Sequence, residues 1–225
     1  MTEHEAIPKA EVSLQLGAIY GALARAFGPV KDHLVEGRAL RDLRRLEAHG
    51  PEGTVSLSSL SEVEARELED LETLTAERLR LFEKGRCPPY ESTYRDETDP
   101  LKDVLMADVA GFYRAFGLMP RGELPDHLVS ELEFMGVLCL QEARAMLAGE
   151  EEAAEIVRDA LRKFMTDHLG RWVGRFRDAV QKEARVSLYP LLADVLVELV
   201  EAEKVRLGVP PGANRTERQH GGVAG

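Results

Sequence analysis

The chain has 225 residues, of which 44% are hydrophobic and 31% are charged, and its formal net charge at pH 7 is −11. This length and composition are typical of a soluble globular protein with one hydrophobic core. The sequence contains no run of about 18 apolar residues, the length that a membrane-spanning helix needs. The negative charge disfavours nucleic acid as a partner and favours basic partners. The acidic N-terminus lacks the basic region and apolar run of an export signal, which predicts a cytoplasmic location.

Apolar residues recur every three or four positions along almost the whole chain, which predicts helices and no convincing strand. Glycine and proline stand at the ends of these apolar stripes, where helices stop. The third stripe is preceded by Ser61 and Glu64, which have the spacing of a capping box. In the first half of the chain the predicted helices cover about residues 12–27, 34–48, 61–82 and 101–116.

The second half of the chain continues the same pattern. Pro125 is predicted to start a helix, because proline is favoured in a first helical turn. A long apolar stripe follows over residues 156–180, and Gly170 and Gly174 are predicted to divide it into two helices. The last predicted helix, over about residues 188–199, has two neighbouring apolar rows and should be deeply buried. The inward positions predicted for the helix after Pro125 are Leu128, Leu132, Met135 and Cys139.

These elements predict an all-α protein, a single compact helical domain of about seven to nine helices over residues 10–207. Residues 1–9 are predicted to be a flexible N-terminus. Residues 208–225 are predicted to be a disordered tail, because they are rich in glycine, proline and polar residues and cannot bury enough apolar surface to offset the entropy of ordering.

The sequence contains no pattern that predicts catalysis, a cofactor or a metal. It has no phosphate-binding glycine loop, dinucleotide motif, nucleophile motif or HExxH zinc motif. The isolated Cys87 and Cys139 exclude a disulfide framework and are predicted to be a loop thiol and a buried small hydrophobe. His127 and Glu131, four residues apart, favour an ion pair on one helix face, and His168 favours a hydrogen-bonded core position. A metal-dependent helical enzyme that uses these three residues is the alternative.

Two segments differ from the helical background and together predict a docking surface for another polypeptide. Residues 87–94, Cys-Pro-Pro-Tyr-Glu-Ser-Thr-Tyr, form a proline-restricted loop that could present Tyr90 and Tyr94 at low entropic cost. Acidic residues around the two tyrosines would suit an arginine side chain. Residues 123–127, Glu-Leu-Pro-Asp-His, place acids and a histidine at a helix start. The alternatives are that the tyrosines fill the core and that Asp126 only compensates the helix dipole.

The Glu-Leu-Pro-Asp-His segment resembles the E-x-P-D-H signature of the TorD/DmsD family of redox-enzyme maturation chaperones, which are relatives of NarJ. Residues 88–94 resemble that family's second block, and His168-Leu169-x-x-Trp172 resembles its C-terminal pattern. The resemblance spans about residues 12–203. It implies an all-helical cytoplasmic chaperone for a molybdenum enzyme of the dimethyl sulfoxide reductase class. Such chaperones bind the catalytic subunit's twin-arginine leader, or the apo-subunit itself, until the molybdopterin cofactor is inserted.

The resemblance also implies where the client binds. Tyr90 and Tyr94 would supply apolar walls, and Asp126, with Glu123 nearby, would supply negative charge. Tyr90 stands where some relatives carry tryptophan. The residues predicted to bind peptide are Tyr90, Glu91, Ser92, Tyr94, Glu123, Pro125, Asp126 and His127.

Three other readings of this resemblance stay open. One is a NarJ-like assembly factor whose client keeps no exported leader. A second is the metal-dependent helical enzyme, and a third is a purely structural interaction module. No nucleic acid or stable membrane insertion is predicted, and the oligomeric state is left open between monomer and dimer.

Overall fold

The computed structural model describes residues 3–31, 38–48, 70–95, 101–119 and 123–210. Within these ranges the chain forms eight α-helices and no β-strand, which confirms the all-α prediction. None of these helices is both long enough and apolar enough to span a bilayer. The helices are α1 (Glu3–Phe27), α2 (Arg38–Ala48), α3 (Leu71–Arg78), α4 (Lys102–Ala115), α5 (Leu128–Leu147), α6 (Glu151–Asp167), α7 (Leu169–Glu183) and α8 (Leu188–Leu207).

The most extensive helix contact joins α1 to α5, and two glycines allow it. A Cβ on Gly17 would lie 3.1 Å from the carbonyl oxygen of Gly136, and one on Gly136 would lie 3.3 Å from that of Gly17. The two backbones approach this closely because neither position has a side chain. Toward the other end of the pair, Ala10 packs against Ala143. Residue numbers therefore increase in opposite directions along α1 and α5, which shows that the two helices are antiparallel.

α1 begins at Glu3, so most of the segment 1–9 for which flexibility was predicted is helical. Ala6 and Ala10 are buried, and Ala10 packs with Met146 near the C-terminal end of α5. This packing explains why the helix extends past its apolar stripe even though Pro8 lies within it. Three predictions lie outside the described residues: the capping box at Ser61 and Glu64, the start of the second helix, and most of the tail. Inside them, α3 is capped by Asp70, whose Oδ1 accepts a hydrogen bond from Thr73 N at 2.8 Å.

The start of α5 differs from the prediction. The helix begins at Leu128, and Pro125 and Asp126 form the turn before it. His127 is the N-cap, because its backbone is extended and its ring nitrogen Nδ1 accepts a hydrogen bond from Val129 N at 3.1 Å. The four inward positions predicted for this helix are confirmed, since Leu128, Leu132, Met135 and Cys139 are all buried.

The break between α6 and α7 also differs from the prediction. It falls at His168, whose backbone leaves the helical region, and not at Gly170 or Gly174, which lie inside α7. Gly170 serves close packing instead, since a Cβ there would lie 2.4 Å from the carbonyl oxygen of Met165. Cys87, predicted to be a loop thiol, is buried, and burial raises the pKa of its thiol to about 11. Such a thiol is protonated and inert at neutral pH.

Candidate functional site

The two segments singled out in the sequence lie side by side. We call them the Tyr90 block (residues 87–95) and the His127 block (residues 123–131). Tyr90 and His127 pair as an isolated antiparallel bridge, although the whole of α4 lies between the two blocks in the sequence. The bridge is closed by backbone hydrogen bonds from Glu91 N to Asp126 O at 2.9 Å and from Leu128 N to Pro89 O at 2.8 Å.

Asp126 holds the two blocks together from inside. Its side chain is fully buried, and Oδ2 accepts a hydrogen bond from Ser92 N at 3.3 Å. The other carboxylate oxygen, Oδ1, has no hydrogen-bond partner among the described residues. Asp126 is one of the residues predicted to bind peptide, but its carboxylate lies beneath that surface.

Glu91 is the second buried carboxylate of the site, and it ties the Tyr90 block to the junction of α6 and α7. One oxygen accepts a hydrogen bond from Nε of Arg95 at 2.8 Å, and the other lies 3.1 Å from Nδ1 of His168. Arg95 also donates to the backbone oxygen of Asp167. Glu91 is therefore a structural anchor, and His168 is the hydrogen-bonded core histidine that the sequence predicts. Its Nε2 lies 3.4 Å from Asp108 without hydrogen-bond geometry.

Trp172 connects the His127 block to the Tyr90 block through the core. Its Nε1 donates a hydrogen bond to Glu131 at 3.0 Å, and its ring stacks on Tyr94 with centroids 5.6 Å apart and planes at 18°. Burial, with a further contribution from the charge of Glu91, raises the pKa of Glu131 well above its ordinary value. Burial also raises the pKa of Tyr94, whose hydroxyl oxygen is buried without a hydrogen-bond partner among the described residues although the residue as a whole is partly exposed. Tyr94 therefore contributes to the core at least as much as to the surface.

His127 contacts both blocks. Its ring lies 5.0 Å from that of Tyr90 in an edge-to-face arrangement, and its Nε2 lies 3.8 Å from Oε2 of Glu123. Burial lowers the pKa of His127, and the opposing charge of Glu123 only partly offsets that effect. The predicted ion pair between His127 and Glu131 does not form, because Glu131 points to Trp172. The alternative metal site is likewise unsupported, because no group of three or more suitable ligands converges within the described ranges.

The exposed part of the site is a small acidic rim around one aromatic ring. We call it the Tyr90 rim and define it as Glu83, Tyr90, Glu123 and Leu124. Tyr90 is half-buried, while Glu83, Glu123 and Leu124 are exposed. Burial raises the pKa of the Tyr90 hydroxyl, and the negative charges of Glu123, Asp126 and Glu83 raise it further. An aromatic ring in such an acidic environment suits a guanidinium group, which can stack on the ring and pair with an acid.

Glu83 is the rim residue that is not among those predicted from the sequence to bind peptide. It ends the π-helical turn Leu79–Glu83 that follows α3, and its exposed carboxylate forms an ion pair at 2.5 Å with the largely buried Arg78. No pattern in the sequence distinguishes it from the many other acids, because its place depends on where α3 packs. Ser92 and Pro125, which were predicted to bind peptide, are both partly buried beside the rim.

The cap formed by His127 predicts how stability depends on pH. Because burial lowers the pKa of His127 below its ordinary value of 6.5, the unfolded chain binds a proton more readily than the folded chain. The stabilisation that uncharged His127 gives the folded chain is present above that ordinary pKa. It is lost as the pH falls through the lower pKa that His127 has in the folded chain. Urea unfolding between about pH 8 and about pH 5 should show this loss.

The matched variant is His127→Asn, which can cap a helix without titrating. It should unfold with a shallower pH dependence than the wild type and similar stability at about pH 8. Charged groups that face His127 (Glu123, Asp126 and Arg78) are common to both proteins and cancel in the comparison. Identical pH profiles for the two proteins would contradict the assignment.

Comparison with known sequences finds relatives across both blocks. Residues 46–178 match the family described as nitrate reductase delta subunit. The chain is 38% identical over 149 residues to the chlorate reductase assembly chaperone protein of Ideonella dechloratans, which covers 64% of this chain and 75% of that protein. It is 40% identical over 142 residues to the selenate reductase assembly chaperone protein of Thauera selenatis, covering 61% and 72%. The chaperone protein TorD of Photobacterium profundum is 27% identical over 152 residues, covering 65% and 68%.

Proposed function

The chain belongs to the nitrate reductase delta subunit family, and on that premise we propose that it assembles the catalytic subunit of a molybdenum-containing reductase. The family match confirms the resemblance to TorD, DmsD and NarJ and the prediction that the chain is a chaperone and not an enzyme. The names of the relatives support a reductase as the client. That the reductase contains molybdenum is what the resemblance to TorD and DmsD implies.

The twin-arginine leader of the client is the segment that the Tyr90 rim fits best. Glu123 can pair with one guanidinium group while the ring of Tyr90 stacks on it, and the exposed Leu124 can contact the apolar part of the leader. The net charge of −11 would accelerate encounter with a basic segment. The observation that carries this proposal is the half-buried Tyr90 ring, which packs edge-to-face on His127 and whose hydroxyl feels the negative charges of the exposed Glu123 and Glu83.

The buried carboxylates have a supporting part in this proposal. Asp126 and Glu91 fix the backbone of the two blocks, so that Tyr90 and Glu123 are presented without a further loss of conformational entropy on binding. A leader must be recognised before its protein is exported, so the proposed role places the chain in the cytoplasm.

Isothermal titration calorimetry of the full chain tests the leader site. The probe is a synthetic leader with two adjacent arginines followed by an apolar segment, and the control is the same peptide with two lysines. The arginine peptide should bind in the micromolar range and the lysine peptide about tenfold more weakly, because lysine cannot form the planar, forked contact. Equal affinity for both peptides, or no binding of either, would count against the leader site.

Variants of the chain test whether the leader binds at the Tyr90 rim. Glu123→Gln and Tyr90→Ala should each weaken binding of the arginine peptide by about tenfold, whereas Tyr90→Phe should retain most of it. Glu152→Gln is the control, since this exposed acid lies near the other end of α5, about 25–30 Å from the rim. Thermal melts should show that all four variants are folded. A larger loss for the control than for Glu123→Gln would move the site.

The reading in which the client keeps no leader makes a different prediction. A chaperone that grips the apo-subunit directly should co-purify with a reductase catalytic subunit whose leader has been deleted. Co-expression with and without the leader therefore separates the two modes. Undiminished co-purification without the leader, together with no binding of the isolated peptide, would favour the NarJ-like mode.

A further inference from the structure

A small pocket opens at the surface beside the His127 block, and no residue of the Tyr90 rim lines it. It lies where the C-terminal end of α4, with the turn that follows, meets the first half of α5. Its volume is about 120 Å³. We call it the α4–α5 pocket and define it by its apolar lining, which consists of Tyr113, Leu118, Met119, Phe134 and Val137.

The floor of the α4–α5 pocket is fixed by the packing beneath it. Phe134 is buried, and its ring centroid lies 4.8 Å from those of both Tyr113 and Phe164. The outer wall is different, because Met119 is 80% exposed. Methionine is unbranched and adapts its shape to the group that it contacts. A fixed aromatic floor with one adaptable wall suits a preformed site for an apolar group.

The polar groups that line the α4–α5 pocket leave little for a polar ligand to bind. The hydroxyl of Ser130 donates to the backbone oxygen of Leu124 at 3.2 Å, and that of Tyr113 donates to the backbone oxygen of Pro125 at 2.7 Å. Because both hydroxyl protons are used, a polar ligand would lose its bound water and gain no donor here. An apolar cavity of about 150 Å³ admits benzene, so this pocket admits an aliphatic side chain such as leucine.

The hydrogen bonds of the pocket also join it to the Tyr90 rim. Leu124 is a member of the rim, and its backbone oxygen is the acceptor for Ser130. The backbone oxygen of Asp126, by contrast, accepts from Glu91 N in the Tyr90 block. Residues 124–126 therefore lie between the pocket and the Tyr90 block, like a strand with a neighbour on each side. Neighbouring strands are about 4.8 Å apart, so the pocket lies about 10 Å from Tyr90.

The charge at the mouth of the α4–α5 pocket fits the same ligand as the rim. Glu133 lines the pocket and is exposed, which adds a third exposed carboxylate to Glu83 and Glu123 of the rim. A basic peptide is therefore attracted along the whole path from the rim to the pocket, whereas an acidic one is repelled. An extended peptide advances about 3.3 Å per residue, so about three residues span that path.

We propose that the α4–α5 pocket binds the first large apolar side chain of the leader, about three residues after the arginine that stacks on Tyr90. This inference rests on the proposed leader site and gives that site a second point of contact. The pocket then selects leaders by the size of this side chain. Leucine fits the volume of about 120 Å³, whereas the double ring of tryptophan is larger than benzene and does not.

Isothermal titration calorimetry of the full chain with three leader peptides tests this selection. The peptides share the arginine pair and differ only at the third residue after it, which is leucine, alanine or tryptophan. The leucine peptide should bind about tenfold more tightly than the alanine peptide, because alanine buries less apolar surface in the pocket. The tryptophan peptide should bind no more tightly than the alanine peptide.

Variants of the chain locate the preference for leucine. Val137→Phe fills the α4–α5 pocket and should bind the leucine peptide about as weakly as the alanine peptide. Met119→Ala changes an exposed side chain that the fold does not need, and it should reduce the preference to about threefold. Ile156→Phe is the matched control, because Ile156 is an exposed apolar residue of α6 outside the pocket, and it should keep the full preference. Thermal melts should show that all three variants are folded.

The results distinguish a failure of the pocket from a failure of the leader site. Equal binding of the leucine and alanine peptides, with the arginine peptide still preferred over the lysine peptide, would overturn the pocket and leave the leader site standing. A full preference for leucine in both Val137→Phe and Met119→Ala would do the same. No binding of any peptide would overturn both.

A disulfide test identifies the occupant of the α4–α5 pocket directly. Met119→Cys should become linked to a leader that carries cysteine in place of the leucine, and an excess of the leucine peptide should suppress this linkage. Ile156→Cys should not become linked, and the buried Cys87 and Cys139 should leave the wild type unlinked. Linkage of two copies of Met119→Cys that the leucine peptide does not suppress would assign the pocket to a second copy of the chain and overturn the proposal.

Discussion

Replacing Glu91 with alanine is expected to lower the free energy of unfolding by about 3–5 kcal/mol. The substitution removes the carboxylate that Arg95 and His168 share, and it leaves both groups in an interior where Glu91 itself is fully buried. A buried cation that loses its counter-charge keeps its desolvation cost and loses the attraction that offset it. Urea unfolding followed by circular dichroism measures the difference directly.

The matched control for this prediction is Glu83→Ala. Glu83 also forms an ion pair with an arginine, Arg78, but it is 53% exposed. Solvent screens this carboxylate, and Arg78 keeps its hydrogen bond to the backbone oxygen of Gly28 when Glu83 is removed. The loss should therefore be about 1 kcal/mol or less, and this variant should unfold almost like the wild type. Similar losses for the two variants would show that burial does not set the strength of the Glu91 contacts.

Glu91→Ala should also separate structural from binding effects at the Tyr90 rim. Glu91 does not reach the rim surface, but it fixes the loop that presents Tyr90. The variant should therefore bind the arginine peptide more weakly even in conditions where it is fully folded. Glu83→Ala, by contrast, should weaken binding without a large loss of stability, because its exposed negative charge acts on the Tyr90 hydroxyl.

The sequence predicted the helices better than the contacts between them. The periodicity of α5 identified four of its buried positions, because a helix that packs on one core must place apolar residues at regular spacing. Its starting residue was wrong, because the side chain of His127 takes the capping position. The resemblance marked both blocks of the candidate site, but no local pattern shows that Tyr90 pairs with His127.

The roles of the acids were the least predictable part of the candidate site. Glu91 and His168 are separated by 77 positions, and Glu131 and Trp172 by 41. Residues so far apart in the sequence meet only when whole helices pack together. The local sequence around either residue of a pair therefore does not indicate its partner. The break at His168 has the same origin, since the ring is held by a carboxylate from the Tyr90 block and not by a glycine in its own segment.

Replacing Trp172 with alanine is the second substitution with a large expected effect, a loss of about 3–5 kcal/mol of unfolding free energy. The indole is fully buried, stacks on Tyr94 and contacts Phe176 at a centroid distance of 5.7 Å. Its removal opens a cavity between the two blocks and takes the hydrogen-bond donor away from Glu131. Trp172→Phe keeps most of the ring contacts and loses only the donor, so it should lose less, about 1–3 kcal/mol.

Glu131→Gln separates the hydrogen bond of Trp172 from its packing. Because burial raises the pKa of Glu131, the stability linked to this group is present below its ordinary pKa of 4.5 and is lost as the pH rises through the folded pKa. The uncharged glutamine avoids that loss and still offers an oxygen to the indole, so its advantage over the wild type should grow from about pH 4 to about pH 8.

In the Glu131→Gln background, Trp172→Phe should lose less stability than in the wild type, since an amide without a partner is less costly to bury than a carboxylate. Trp172→Ala should remain strongly destabilised in both backgrounds, because its cavity is the same in each. Equal losses for Trp172→Phe in the two backgrounds would show that Glu131 and Trp172 are merely neighbours.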